Sequence, residues 1–304
     1  MDTADALFQL HNADAKGSLM EQAEKLKKKI RGKVYRYRAF VRPDADTNLL
    51  NIVLRGPALS IVRVASLPTP GQKISLEAVT GGGRNPQGLV FISGQGVNRN
   101  ENVSMVKPMV EMAFDNIDKA VKAAGVFPAD VLTVTCYSSS LQDHAQVQQL
   151  AATRYRWAVF NHVQIPMPYG RALVECEAVA RAIAPVGFLY PEGLTKSPNF
   201  TQVVGISSRR MVWSGLHTSQ GCTADGVRGM FRSLEATLKN RGASIKDAAF
   251  SYVYPNTTEG TDLSRNIRFD FYNKEKAPAS TLIPFSGFVD KNACTGVEVV
   301  APGS

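Results

Sequence analysis

The sequence predicts an α/β protein built from three related β-α-β units, and two observations carry the prediction. Three helix candidates repeat one apolar stripe with spacings of four, three and four: Leu19, Ala23, Leu26, Ile30; then Val110, Phe114, Ile117, Val121; then Val227, Phe231, Leu234, Leu238. Each draws a face that must pack on something. A glutamate also returns at one place in three apolar strand ends, LEAV, CEAV and VEVV, as Glu77, Glu177 and Glu298. Burying a carboxylate is costly without a partner, so a recurrent one marks shared architecture.

Taken in order, the first unit covers residues 1–80. ALFQLHN supplies one strand, a truncated leading hairpin, and the first stripe follows it. IRGKVYRYRAFV keeps Gly32 and a strand, and ALSIVRVASLPTPGQKISLEAVT reads as a β-hairpin with a Pro/Gly turn. Gly81-Gly82-Gly83-Arg84 resembles a phosphate cradle, but no helix starts after it, so it reads as a linker. The second unit covers 85–182. GLVFISGQGV is a β-rich run with Ser-Gly at its end, and Gly125 stands where a helix C-cap wants positive φ, with Asp130 just before the next strand. The closing strand is PMPYGRALVECEAVA. The third unit, 196–304, repeats the order with RRMVWSGLHTS, Gly242, Asp247 and STLIPFSGFVDKNACTGVEVVAP.

Composition narrows the class. No run approaches the roughly 20 apolar residues that span a bilayer, and MDTADALFQLHNADAKG lacks the basic start and apolar core of a secretory signal. Cys136, Cys176, Cys222 and Cys294 show no CxxC spacing. They read as free thiols in a reduced, cytoplasmic protein, without a metal site. The net charge of +9 has one clear cluster, Lys25, Lys27, Lys28, Lys29, Arg31 and Lys33, which Arg36 and Arg38 continue along one face of the next strand. It reads as a solvated helix end, with an RNA-binding patch as the alternative.

FISGQ, FDNIDKAVKAAG, the ADVLTVTCY strand, a long second helix and the arginine-bearing closing strand together resemble the Rid or YjgF-type family. The resemblance is full over about 85–180 and 198–302 and partial over 7–80. It implies an α+β sandwich per unit, two helices on one sheet, and three fused units forming an intrachain pseudo-trimer around a central sheet barrel. A single chain would then suffice as a monomer. It further implies that Arg171 fixes a substrate carboxylate and that Glu177 positions or activates a water. By the same resemblance Ser93, Gly94, Gln95, Tyr169, Cys176, Phe200 and Asn266 line the substrate, and Leu59 and Ser280 stand where the other two units have lost the arginine. From the residues alone, Arg171 either anchors a carboxylate or pairs with Glu175 or Glu177.

The activity the resemblance implies is hydrolysis, a deamination, of an imine or enamine of a small carboxylic acid, in a specialised biosynthetic setting and without a metal or organic cofactor. The alternative is a non-catalytic small-acid or RNA-binding protein.

Overall fold

A computed structural model describes residues 1–167 and 170–304. The first sheet is built by β1 (Leu7–Asn12), α1 (Leu19–Lys29), β2 (Val34–Val41), the short α2 (Leu50–Val53), β3 (Ala58–Arg63) and β4 (Ile74–Thr80). The second is built by β5 (Leu89–Arg99), α3 (Lys107–Ala123), β6 (Val131–Ser138), α4 (His144–Arg154), β7 (Val159–Gln164) and β8 (Ala172–Arg181). It is extended by β9 (Phe188–Leu189) and β10 (Val203–Ile206). The third comprises β11 (Met211–Trp213), β12 (His217–Thr218), α5 (Ala224–Lys239), β13 (Phe250–Pro255), α6 (Thr258–Ile267), β14 (Ala279–Leu282) and β15 (Thr295–Pro302).

One strand order recurs: β1-β4-β2-β3, β5-β8-β6-β7 and β11-β15-β13-β14. In each, the two strands that follow the helices pair in parallel, and the closing strand inserts antiparallel beside the first of them. The expected β-hairpin over residues 58–80 is therefore corrected. β3 and β4 do not pair with each other; both pair with β2, and the Pro/Gly segment is a crossover past it.

The three stripes do what their spacing requires. Val110, Phe114, Ile117 and Val121 are sealed against the second sheet with Val134, Val174 and Ala178. Leu19, Ala23 and Leu26 pack on the first sheet, and Val227, Phe231, Leu234 and Leu238 on the third. Gly125 and Gly242 adopt φ of 68° and 71°, ending α3 and α5 where a side chain would be strained. The opposite faces of all three sheets converge on one shared core, with Phe40 and Val62 from the first, Phe91 and Tyr137 from the second, and Phe250 and Tyr254 from the third.

No closed barrel forms among the described residues. The sheets are separate ladders, joined at their margins by isolated bridges such as Ser66 to Gln164 and Arg63 to Gly287. Their inner faces close by side-chain packing instead.

The cysteines also depart from expectation. Cys136 and Cys176 are disulfide-bonded across β6 and β8, and Cys222 with Cys294 at the start of β15. Strand register places Cys136 opposite Cys176, a proximity that a separation of 40 residues conceals.

Candidate functional site

Successive residues of β8 point to opposite faces. Val174, Cys176 and Ala178 meet α3, while Arg171, Leu173, Glu175, Glu177 and Val179 form the inner row. That row runs from an open cleft to the centre of the molecule, and its two glutamates end in different places.

Glu177 lies in the centre, 4% exposed, within a network of all three recurrent glutamates. Arg38 donates from Nε to Glu77 Oε2 at 2.5 Å and from both Nη atoms to Glu177 Oε1 at 3.0 Å. The Tyr137 hydroxyl donates to the same Glu177 oxygen at 2.9 Å. Arg36 grips Glu298 with two parallel bonds of 2.5 and 2.7 Å, and the Ser60 hydroxyl donates to Glu298 at 2.8 Å. The Thr135 hydroxyl and the Asn161 amide donate to Glu77 at 3.0 and 2.7 Å. Burial opposes ionisation of Glu77, but the Arg38 charge and hydrogen bond outweigh it and hold the carboxyl below its usual range. Burial dominates at Glu177 and raises its proton affinity despite Arg38. Two guanidinium groups are thus set against three carboxyls, and Glu177, unlike Glu77, is biased toward keeping a proton.

This corrects the basic patch. Arg36 and Arg38 are each 2% exposed and face inward as counter-ions to the glutamates. The lysines of α1 remain on its exposed outer face.

The cleft at the other end of the row holds about 710 Å³. One wall is Asn98 of β5 with Arg171, Leu173 and Glu175; the other is the start and one face of α6, including Thr261, Asp262 and Arg265. Leu282 to Phe285 close its floor. Glu175 lies opposite Gly96 in register, and the β5–β8 ladder slips between Ile92 and Gln95. A Cβ on Gly94 would stand 1.9 Å from Glu175 Oε1, so this glycine makes room for the carboxyl group. Burial first, and the neighbouring Glu177 second, push the Glu175 carboxyl up to about 8; the Leu282 backbone N–H and Arg265 pull only partly the other way. At neutral pH it is an acid with a proton to give.

Arg171 is exposed at the mouth of the cleft. Among the described residues it makes no ion pair with Glu175 or Glu177. Of the other sequence-predicted site residues, Gly94 backs Glu175. The Ser93 hydroxyl donates to the Thr201 carbonyl at 2.5 Å and accepts from the Ser280 N–H at 2.9 Å. The Gln95 amide donates to Gln202 at 2.8 Å. Both residues fasten β5 to the neighbouring segments instead of facing the cleft. Cys176 is on the opposite face of β8 and bonded to Cys136, because the period of two carries it away from Glu175. Phe200 lies outside the cleft lining, beside the bridge of Thr201 to Ala279. Asn266 is exposed one residue beyond Arg265, about 100° around the helix. Tyr169 lies outside the described residues.

Glu175 and the α6 face were missed as site residues. Two signals pointed to them: glycines two apart, Gly94 and Gly96, in the strand opposite the glutamate, and the polar spacing of residues 258, 261, 262 and 265, which share one helix face. The register also corrects the partners of Arg171. Glu77, Glu177 and Glu298 face Arg38, Thr135 and Tyr252 on their neighbouring strands. The positions matching Arg171, six before each glutamate, are therefore Gly71 and Asn292, whereas Leu59 and Ser280 lie on β3 and β14.

Gly94→Ala should displace the Glu175 carboxyl and remove the fall in urea midpoint with rising pH that its raised proton affinity gives, while leaving far-ultraviolet circular dichroism unchanged. A wild-type pH dependence in the variant would show that Gly94 is not what seats Glu175.

Among the described residues no group of three or more His, Cys, Asp or Glu is placed to hold a metal ion, and no helix is long and apolar enough to cross a membrane.

A family model described as Endoribonuclease L-PSP matches residues 83–183. No curated protein matches the chain. A YjgF-family structure from Mycobacterium tuberculosis is 23% identical over 31% of this chain and 79% of its own, with a TM-score of 0.26. A Rid-family protein of unknown function from Yersinia pestis is 14% identical over 38% and 96%, at 0.33. A chorismatase structure is 12% identical over 98% and 99%, at 0.29. None of these superpositions bears on chemistry.

Proposed function

We propose, from the match of residues 83–183 to the Endoribonuclease L-PSP family model and the resemblance of their motifs to Rid (YjgF-type) proteins, that this chain is a cofactor-independent enzyme hydrolysing imines or enamines of small carboxylic acids in the Arg171 cleft. The reading rests on one observation: a guanidinium with no ion pair among the described residues and a carboxyl group whose proton affinity burial raises to about 8 line the same cleft.

Arg171 takes the substrate carboxylate in a paired, charge-assisted contact and so orients the C=N or C=C bond. With an enamine, the Glu175 proton goes to carbon, the enamine electron pair forms the new C–H bond, and an iminium results. The Glu175 carboxylate then takes a proton from water as the water oxygen bonds to the iminium carbon. The carbinolamine collapses with proton transfer to nitrogen, the C–N bond breaks, and a 2-oxo acid and ammonia leave. Glu175 ends as it began, protonated. This role replaces the one expected for Glu177, whose carboxyl is committed to Arg38 and Tyr137.

The same reading treats residues 1–80, 85–182 and 196–304 as three copies of one unit arranged as a pseudo-trimer, with the retained cleft between the second and third. The shared strand order and the common inner core support it.

The test is hydrolysis of 2-imino acids generated in place by an amino-acid oxidase. Arg171→Ala should lower kcat/KM by roughly 10–100-fold, the worth of a charged hydrogen-bond pair. Wild-type protein no faster than buffer, or a variant as fast as wild type, would sink the reading.

A further inference from the structure

Arg171 is one of two arginines in the cleft. Arg265, in the last turn of α6, lines the opposite wall and is exposed. Like Arg171, it makes no ion pair among the described residues. One carboxyl-bearing neighbour, Asp262, shares its helix face without reaching it at ion-pair distance, and the other carboxyl group of the lining, Glu175, sits between the two walls. Asn98 and Asn256 add uncharged polar edges, and Leu173, Leu282 and Ile283 an apolar floor. The volume of about 710 Å³ falls within the roughly 300–1,000 Å³ of sites that enclose drug-sized ligands, more than a three-carbon imino acid fills.

Two guanidinium groups across a cleft, without an ion pair among the described residues, repel unless anions lie between them. A single carboxylate satisfies one and leaves the other without a partner. We infer that Arg265 is a second carboxylate anchor and that the substrates are dicarboxylic, held at Arg171 by one carboxylate and at Arg265 by the other, with the reacting double bond between them beside Glu175. The inference rests on the proposed reading of the Arg171 cleft and adds its substrate class. Arg265 then acts in specificity, through the far end of the substrate and not through the reacting atoms.

Calorimetric titration with two unreactive five-carbon probes, 2-oxoglutarate and 2-oxovalerate, separates the two ideas, since the probes differ in the terminal carboxylate. The wild type should bind 2-oxoglutarate about tenfold tighter or better, the increment of one charged contact. Arg265→Gln should collapse that ratio to within about twofold, and Arg171→Gln should weaken both acids. Equal wild-type affinities, or a preference that survives Arg265→Gln, would overturn the inference while leaving a monocarboxylate site that still depends on Arg171. Binding that ignores Arg171→Gln, or no binding of either acid, would overturn the parent reading as well. Arg265 is exposed, so unchanged circular dichroism in its variant certifies the fold.

Discussion

Glu175→Gln is expected to slow imine hydrolysis by about 100-fold or more, within the range that a positioned general acid contributes. Glutamine keeps the shape that fits over Gly94 but has no proton to deliver, so the loss should fall on kcat more than on KM. Stability should move the other way at high pH. The Glu175 carboxyl in the fold is raised to about 8 from an ordinary 4.5. Its contribution is fully present below about pH 4.5 and is lost as pH rises through 8, because the folded state holds the proton that the unfolded chain gives up. The variant lacks that slope, so it should gain on the wild type in denaturant midpoint between pH 6 and pH 9. A wild type that shows no such decline would mean that the carboxyl group is ionised at neutrality, and the mechanism would fail.

Arg38→Met should be the most damaging single change to the fold. Arg38 ties Glu77 of the first sheet to Glu177 of the second and reaches the Tyr254 hydroxyl of the third at 3.4 Å. Its guanidinium also lies 4.6 Å from the Tyr252 ring centre. Removing one partner of a buried ion pair strands the others, at a cost of about 3–5 kcal/mol, and here two carboxyls are stranded together. Urea denaturation measures it. The acid limb should change too. Glu77, held below its usual range by Arg38, contributes stability that is present above the ordinary carboxyl pKa and lost as pH falls through the folded value. Without Arg38 that limb should flatten. A midpoint within about 0.5 kcal/mol of wild type, as for a surface change, would show that the network does not hold the three sheets together.

The helices and the glutamates were legible because they follow from period alone. A stripe at residues 110, 114, 117 and 121 has one way to be buried, and three glutamates in apolar strand ends announce partners even before the partners are known. The partners themselves were on view in the VYRYR segment but were read as a continuation of the lysine run. Alternation decides the matter: Arg36 and Arg38 share a face with Phe40, and that face is the interior. The Ser-Gly pairs looked like the ends of strands; Ser214-Gly215 does follow the end of β11, whereas Ser93-Gly94 lies inside β5, where its ladder with β8 slips. Where the sequence misled, the cause was register. Nothing local tells that residues 58–63 and 74–80 are separated by β2 in the sheet, so Leu59 and Ser280 were matched to Arg171 one strand away from their true counterparts. The cleft was half visible for the same reason. Arg171 stands out in its own strand, but Arg265 and Asp262 come from a helix about ninety residues later and meet it only through packing of the third sheet on the second.

The account turns on Glu175 being the protonated acid of the Arg171 cleft, and the pH dependence of kcat/KM for imine hydrolysis tests it most directly. The profile should be level to about pH 8 and then fall, with the limb near 8 absent in Glu175→Gln. Activity that instead rises with pH through neutrality, as a carboxylate base would give, would contradict it.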